Sequence, residues 1–196
     1  ASNIDHLEII SNVTRYARSF FVSALPRMCT FPELFRDMYL FGDINTSVYI
    51  NPVSEERSQN ELNRVINQLE TERIVAADRG NINRESLLAQ KRLEAEGLRD
   101  EIASGFNKLF EATVVATLFS YNLQSLDAYT KLLAAEMSKS LVGVKSSWAV
   151  QEEAFKANLP LMKNNNIGKK HTFDRNSMAT VFPFTTSEVG HFTGIP

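Results

Sequence analysis

The glycine–lysine pair Gly168-Lys169 is the one place where this sequence approaches a phosphate-binding loop. Such a loop needs a glycine five residues before the second glycine, and a serine or threonine after the lysine. Lys163 and Lys170 occupy these two positions. The pair therefore fails the pattern, and the sequence predicts no nucleotide site of this type in the chain.

Metal chemistry has no better support in the pattern of side chains. His6, His171 and His191 lie far apart, and none is followed by Cys or His three or four residues later. Zinc sites normally show such short spacings between their ligands. We therefore predict no metal ligand among the histidines and expect each of them to lie at the surface.

The remaining candidates for acid–base or nucleophilic chemistry have simpler structural explanations. Cys29 lacks a sequence context that marks a nucleophile, so we interpret it as a structural thiol. Glu55-Glu56 and Glu152-Glu153 suit the first turns of helices, where the helix dipole favours acidic groups. We predict no catalytic, cofactor-binding or metal-binding residue in this chain.

One cluster of basic residues has binding chemistry. Lys169, Lys170 and Arg175 surround Phe173, and together they could contact anions or single-stranded nucleic acid through charge and stacking. A solvated linker explains the same residues equally simply, so both interpretations stay open. The net charge of −2 and the pI near 6.0 argue against a dedicated duplex-DNA binder.

The element that dominates the chain is a long charged stretch at residues 54–104. It contains no proline and only two glycines, and an apolar stripe that includes Leu62, Leu69 and Leu98 recurs at helical spacing. Gly80 suits a helix end, and Asn81 or Asn83 can cap a following helix. We predict an antiparallel helical hairpin; the alternative is one long straight helix.

The flanking segments predict a mixed fold. Alternating patterns predict strands at 15–25, 46–53, 109–121 and 144–148, and helical patterns predict helices at 30–42, 122–141 and 151–158. A short extended segment is predicted at 178–182. The order of elements predicts an α+β fold, a ferredoxin-like split β-α-β sheet with helices on one face and the hairpin inserted between its central strands.

Two surfaces are candidates for contacts with other molecules. The helix at residues 31–41 carries Phe31 and Phe35 on one face, which we expect to pack on the sheet; a membrane-surface helix is the alternative. In the hairpin, the candidate contact residues are Leu62, Leu69 and Leu98. A bare helical arm buries little apolar surface, which favours a role in contacts.

The chain divides by composition at about residue 162. Residues 1–162 are expected to form the α+β domain, and residues 163–196 a linker and extended segment leading to a further domain. The sequence begins without methionine and ends at Pro196, which suggests a piece of a longer protein. No run approaches the roughly 20 apolar residues that cross a bilayer.

The segment from Arg175 to Glu188, with its Phe182-Pro-Phe-Thr185 core, closely resembles a segment of the conjugative-transfer ATPases, the CagE–TrbE–VirB family of type IV secretion. Further similarity lies in Arg18-Ser-Phe-Phe-Val22, Asn51-Pro52-Val53, the charged helical region and the strand at 110–121. The resemblance covers most of the chain from about residue 14. The tail segment is its most distinctive part, and the remainder is similar in pattern.

The resemblance implies a non-catalytic N-terminal assembly domain. ATP and Mg²⁺ would bind to a motor domain beyond residue 196, so this chain should not hydrolyse ATP alone. Its expected partners are transfer-channel proteins and neighbouring ATPase subunits, with a homo-oligomer also compatible. The implied location is cytoplasmic, peripheral to the inner face of the cell membrane. A nucleic-acid-binding module that uses the basic tail is the alternative function.

Overall fold

The computed structural model describes residues 3–26, 34–39, 42–160 and 167–181, and shows a mixed α and β fold with an antiparallel sheet. Its strands are β1 Leu7–Ile9, β2 Arg15–Ala24, β3 Ile44–Pro52, β4 Phe110–Ser120, β5 Gly143–Ser146 and β6 His171–Phe173. Its helices are α1 Arg36–Tyr39, α2 Glu55–Asp78, α3 Ile82–Ala103, α4 Leu123–Lys139, α5 Gln151–Ala157 and α6 Arg175–Ala179.

The sheet is built around β2 and β4. Its main order is β1-β2-β4-β3, while β5 also pairs with β2 and β6 pairs with β4. Strands β1, β4 and β5 all run antiparallel to β2, with Ser19 opposite Thr117 in the β2–β4 register. β4 is buried from Ala112 to Leu118, which confirms the prediction of a central strand from its two apolar faces.

Helices lie on both faces of the sheet, which corrects the prediction of helices on one face. Arg18 of β2 pairs with Asp127 of α4 at 2.8 Å. The neighbouring Ser19 points to the opposite face, because side chains alternate along a strand. There its hydroxyl lies 2.8 Å from that of Thr117, which accepts a hydrogen bond from Asn158 at the end of α5. Helical periodicity alone does not reveal which face a short helix covers.

The predicted helix at 30–42 is described only over residues 34–39. Phe35 and Met38 are fully buried there, and α1 packs against α4, as expected for an inward-facing apolar side. The candidate contact role of Phe35 is therefore corrected, since this side chain is inside the fold. Phe31 lies outside the described residues.

The structure groups the chain into two compact units. Unit 1 contains the described parts of residues 1–50, 112–171 and 176–196; unit 2 contains residues 51–111 and 172–175. The predicted domain of residues 1–162 is thus divided at the hairpin. Residues 167–181 do not form a simple linker, because β6 joins the sheet and Ile167, Phe173 and Val181 are buried.

The predicted extended segment at 178–182 is also corrected over residues 178–181; residue 182 lies outside the described part of the chain. Residues Arg175–Ala179 form α6, a helix of 5 residues, and Val181 follows its end. The apolar run from Met178 is too short for its periodicity to separate a strand from a helix. The pattern also gave no sign of β1 or β6, which have 3 residues each and exist through their pairing with longer strands.

Candidate interaction surface on the helical hairpin

Helices α2 and α3 form the antiparallel hairpin that the sequence predicts, and their ends show why. The Ser54 hydroxyl accepts a hydrogen bond from the Arg57 amide, which caps α2. At the far end Gly80 adopts φ 66°, and its amide and that of Asn81 donate to carbonyls in the last turn of α2. The Asn81 side chain then caps α3 by accepting from Arg84 at 3.1 Å.

An apolar cluster closes the base of the hairpin. Val53, Leu62, Ile102 and Leu109 are buried together, and Leu98 packs against them. The Val53 amide donates to the Leu109 carbonyl at 2.9 Å, which joins the two chain segments where the hairpin begins and ends. This cluster holds the ends of α2 and α3 together, because burial of each large side chain contributes about 1.5–3 kcal/mol.

Charged side chains replace apolar ones farther along the contact between the helices. Arg73 of α2 pairs with Glu70 at 2.8 Å and with Glu85 of α3 at 3.0 Å, and Arg92 of α3 lies 3.6 Å from Glu70. The hydrogen bond from Arg73 lowers the pKa of Glu70 below its usual value. The helices are therefore matched by charge here, and outside the base cluster their buried apolar side chains are Ile66, Ala76 and Leu88.

The outer faces of the hairpin expose large apolar side chains. Ile82 is 75% exposed and Leu93 is 62% exposed. They are 11 residues apart, close to three turns of 3.6 residues, so they share one face of α3. Further exposed apolar side chains on the two helices are Val65, Ile74, Val75 and Leu87. An arm that keeps such residues in water is suited to a contact with another surface.

The three hairpin residues that the sequence offered as candidates for contact face the inside of the hairpin. Leu62 is buried in the base cluster, Leu69 is half-buried, and Leu98 packs on the cluster. All three belong to the inward stripe of the hairpin. A more informative signal is the apolar residues outside this stripe, such as Ile82 and Leu93. Neither helix of the hairpin covers them.

The basic residues near the end of the described chain are exposed, but their aromatic companion is not. Lys169, Lys170 and Arg175 are all exposed, whereas Phe173 is 3% exposed. A buried ring cannot stack on a base, so a stacking role for Phe173 does not fit its position. An anion would therefore interact with Lys169, Lys170 and Arg175 through their charges alone.

Gly168 has a structural explanation that does not involve phosphate. It adopts φ 92°, and a Cβ atom there would lie 3.0 Å from both Phe21 Cβ and Thr113 Cγ2. Glycine is needed for this close approach of the chain to β2 and β4. In the described part of the chain, no group of three or more His, Cys, Asp or Glu residues could hold a metal ion.

Unit 1 contains a cavity of about 570 Å³ beside the N-terminal half of α4. Tyr121 and Tyr129 border it, and the guanidinium of Arg15 lies 5.2 Å from the ring centres of Phe119 and Tyr121 while pairing with Asp43. The full lining is Gly42, Asp43, Leu118, Phe119, Ser120, Tyr121, Asn122, Ser125, Tyr129 and Leu132. Half of these residues are apolar or aromatic, and the acid among them, Asp43, is already paired with Arg15.

No protein-family model matches this chain, and no curated protein is significantly similar to it. Among the described residues, no helix has the length and the apolar character that a membrane crossing requires.

Proposed function

We propose that this chain is a non-catalytic assembly domain of a conjugative-transfer ATPase of type IV secretion, and that its helical hairpin docks the motor onto its partners. The observation that carries the proposal is the hairpin between β3 and β4, with Ile82 and Leu93 exposed on one outer face. The tail beginning at Arg175 supports the family, because it resembles the segment that precedes the motor domain.

We further propose that unit 1 is a ferredoxin-like split β-α-β domain. Without β1 and β6, the strand order is β5-β2-β4-β3, and adjacent strands run antiparallel. Helix α1 falls between β2 and β3 in sequence, and α4 between β4 and β5. This is the order that two interleaved β-α-β halves produce, with the hairpin in the connection that joins the halves.

The dimensions of the hairpin suit an arm that reaches a partner. Its helices have 24 and 22 residues, which corresponds to lengths of about 36 Å and 33 Å at 1.5 Å per residue. Ion pairs stabilise its middle without covering apolar surface, so its exposed apolar side chains remain available. The proposed partners are channel proteins of the transfer apparatus and neighbouring ATPase subunits, at the cytoplasmic face of the membrane.

The chemistry of ATP hydrolysis is assigned to a motor domain outside this chain. Gly168 is accounted for by its packing, and Lys163 and Lys170 do not fit a phosphate-binding loop. We expect the purified chain to show no ATP turnover, and the coding sequence after residue 196 to contain Gly-x-x-x-x-Gly-Lys followed by Ser or Thr. Turnover by the pure chain in a nucleotide pocket of its own would contradict the proposal.

The docking role is tested with exposed residues, so that folding is not disturbed. Ile82→Glu with Leu93→Glu places two charges on one face of α3, and glutamate is a good helix former. Ile10→Glu with Val13→Glu is the matched control, since these residues of unit 1 are 71% and 57% exposed. Both variants are made in the full protein in its own host, and conjugative transfer and co-purified channel proteins are measured.

We expect the hairpin variant to lose the channel proteins and to reduce transfer at least about tenfold, as expected when an apolar contact loses more than about 1.4 kcal/mol. The control should behave like the unaltered protein. Equal transfer by both variants, or undisturbed transfer after deletion of residues 58–100, would refute the role of the hairpin.

The alternative, a nucleic-acid-binding module, rests on the charges of Lys169, Lys170 and Arg175. Single-strand binding that weakens steeply with salt and is lost in the variant Lys169→Ala with Lys170→Ala would support it. The burial of Phe173 removes the stacking contribution on which this alternative partly depended.

A further inference from the structure

Within the described parts of the chain, no strand pairs with the outer edge of β3. β3 is the last strand in the sheet order, with β4 on one side. The Asp43 carbonyl accepts from the Phe119 amide, so odd-numbered residues near this end direct their backbone groups toward β4. Because this direction alternates along a strand, the amides and carbonyls of Thr46, Val48 and Ile50 point away from the sheet. Among the described residues, none of the three has a backbone hydrogen bond on that side.

Pro52 protects the far end of this edge, but the stretch before it lacks the features that normally protect an edge strand. From Ile44 to Ile50 the sequence is Ile-Asn-Thr-Ser-Val-Tyr-Ile, with no charge, proline or glycine. Edge strands that must stay unpaired usually carry charged residues, a proline or a bulge, or are very short. Here Thr46 and Val48 are half-buried and Ile50 is 48% exposed. The strand is therefore open to another strand along at least five residues.

We propose that this edge pairs with the same edge of a second copy of the chain, antiparallel and centred on Val48. A twofold axis at Val48 places Val48 opposite Val48, and Thr46 opposite Ile50. All three are β-branched, and such cross-strand pairs each contribute about 0.2–1 kcal/mol. Six backbone hydrogen bonds would form from the outward groups of Thr46, Val48 and Ile50 of the two chains.

The charge pattern favours a second copy over a different protein as the occupant. A strand that meets itself places identical residues near each other, so any charge on it would face a like charge. The absence of charge between Ile44 and Ile50 removes this cost, while it offers nothing that would select a charged partner strand. The contact is small, below the size of standard interfaces, so we expect weak association that depends on concentration. This inference does not depend on the docking role of the hairpin.

The test uses the purified chain and variants of Val48 in analytical ultracentrifugation over a range of concentrations. Val48→Lys and Val48→Glu each place like charges directly opposite at the axis, and their long stems can extend into solvent without unfolding the strand. Val48→Thr keeps the β-branched shape and is the matched control. We expect association of each charged variant to be weakened at least about tenfold, and that of Val48→Thr to be little changed.

A mixture of the lysine and glutamate variants gives the sharpest result, because opposite charges then meet at the axis. We expect the mixture to regain association that neither variant shows alone, while circular dichroism shows all variants folded. The proposal is overturned if the unaltered chain stays monomeric at its highest soluble concentration. It is also overturned if the charged variants associate like the unaltered chain, or if the mixture stays monomeric. Association lost in the Ile82→Glu, Leu93→Glu variant would instead place self-contact on the hairpin.

Discussion

At the residue scale, the glycines of this chain are of two kinds. Some occupy positions where a side chain would clash, and others occupy positions where a side chain would fit. Gly168 combines φ 92° with close contacts to Phe21 and Thr113. Gly97 lies inside α3, and a Cβ atom there would meet nothing within 4 Å. The same substitution should therefore have opposite effects at the two positions.

Gly168→Ala should destabilise unit 1 by about 2–3 kcal/mol, because the backbone is in a left-handed conformation and the added methyl group crowds β2 and β4. Gly97→Ala should stabilise α3 by up to about 1 kcal/mol, since alanine is the better helix former. Urea unfolding followed by circular dichroism measures both changes. A neutral Gly168→Ala variant would show that this segment does not need its close approach to the sheet.

Residues also show where prediction from sequence reaches its limit. The helix ends at Gly80 and Asn81 could be identified because their effects are local: each acts on backbone groups within one turn. Phe173 was harder, because an apolar residue in a short element has the same appearance in sequence whether it is buried or exposed, and its burial depends on distant segments.

At the scale of elements, the apolar residues of the hairpin form two groups. The inner stripe stabilises the contact between the two helices, and the outer residues do not contribute to this contact. Leu62→Ala should cost about 2–4 kcal/mol, because it opens a cavity in the cluster with Val53, Ile102 and Leu109. Leu93→Ala, at a residue that is 62% exposed, should change stability by less than about 0.5 kcal/mol. Hydrogen exchange of amides in α2 and α3 locates the change in the hairpin, and equal losses for the two variants would contradict this division.

Long elements were predictable, and three of the shortest were not, for a physical reason. The hairpin helices and β4 repeat their pattern over many residues, so their type and approximate bounds follow from the sequence. β1, β6 and α6 are 3 to 5 residues long and are stabilised by the strands or segments they contact. The sequence did not predict the exposed apolar face of α3, because the exposure of a side chain depends on which other segments of the fold pack against it.

At the scale of the whole molecule, the chain forms two units that differ in how they are stabilised. Unit 1 depends on strands brought together from distant parts of the sequence, such as β2 and β5, and unit 2 depends mainly on the neighbouring helices α2 and α3. Local contacts form faster and at a lower entropic cost than distant ones. The helical hairpin is thus expected to be an insertion that the sheet does not need in order to fold.

Replacement of residues 54–108 by a short turn such as Asn-Gly tests this expectation. Val53 and Leu109 are already joined by a backbone hydrogen bond, so a tight turn can connect β3 to β4 without moving either strand. We expect the shortened protein to keep the strand signal in circular dichroism and dispersed amide resonances, with lower stability because Val53 and Leu109 lose their cover from Leu62 and Ile102. It should also lose the channel proteins while retaining weak self-association through β3. A shortened protein that is unfolded would show that the hairpin is part of the folding unit of the sheet.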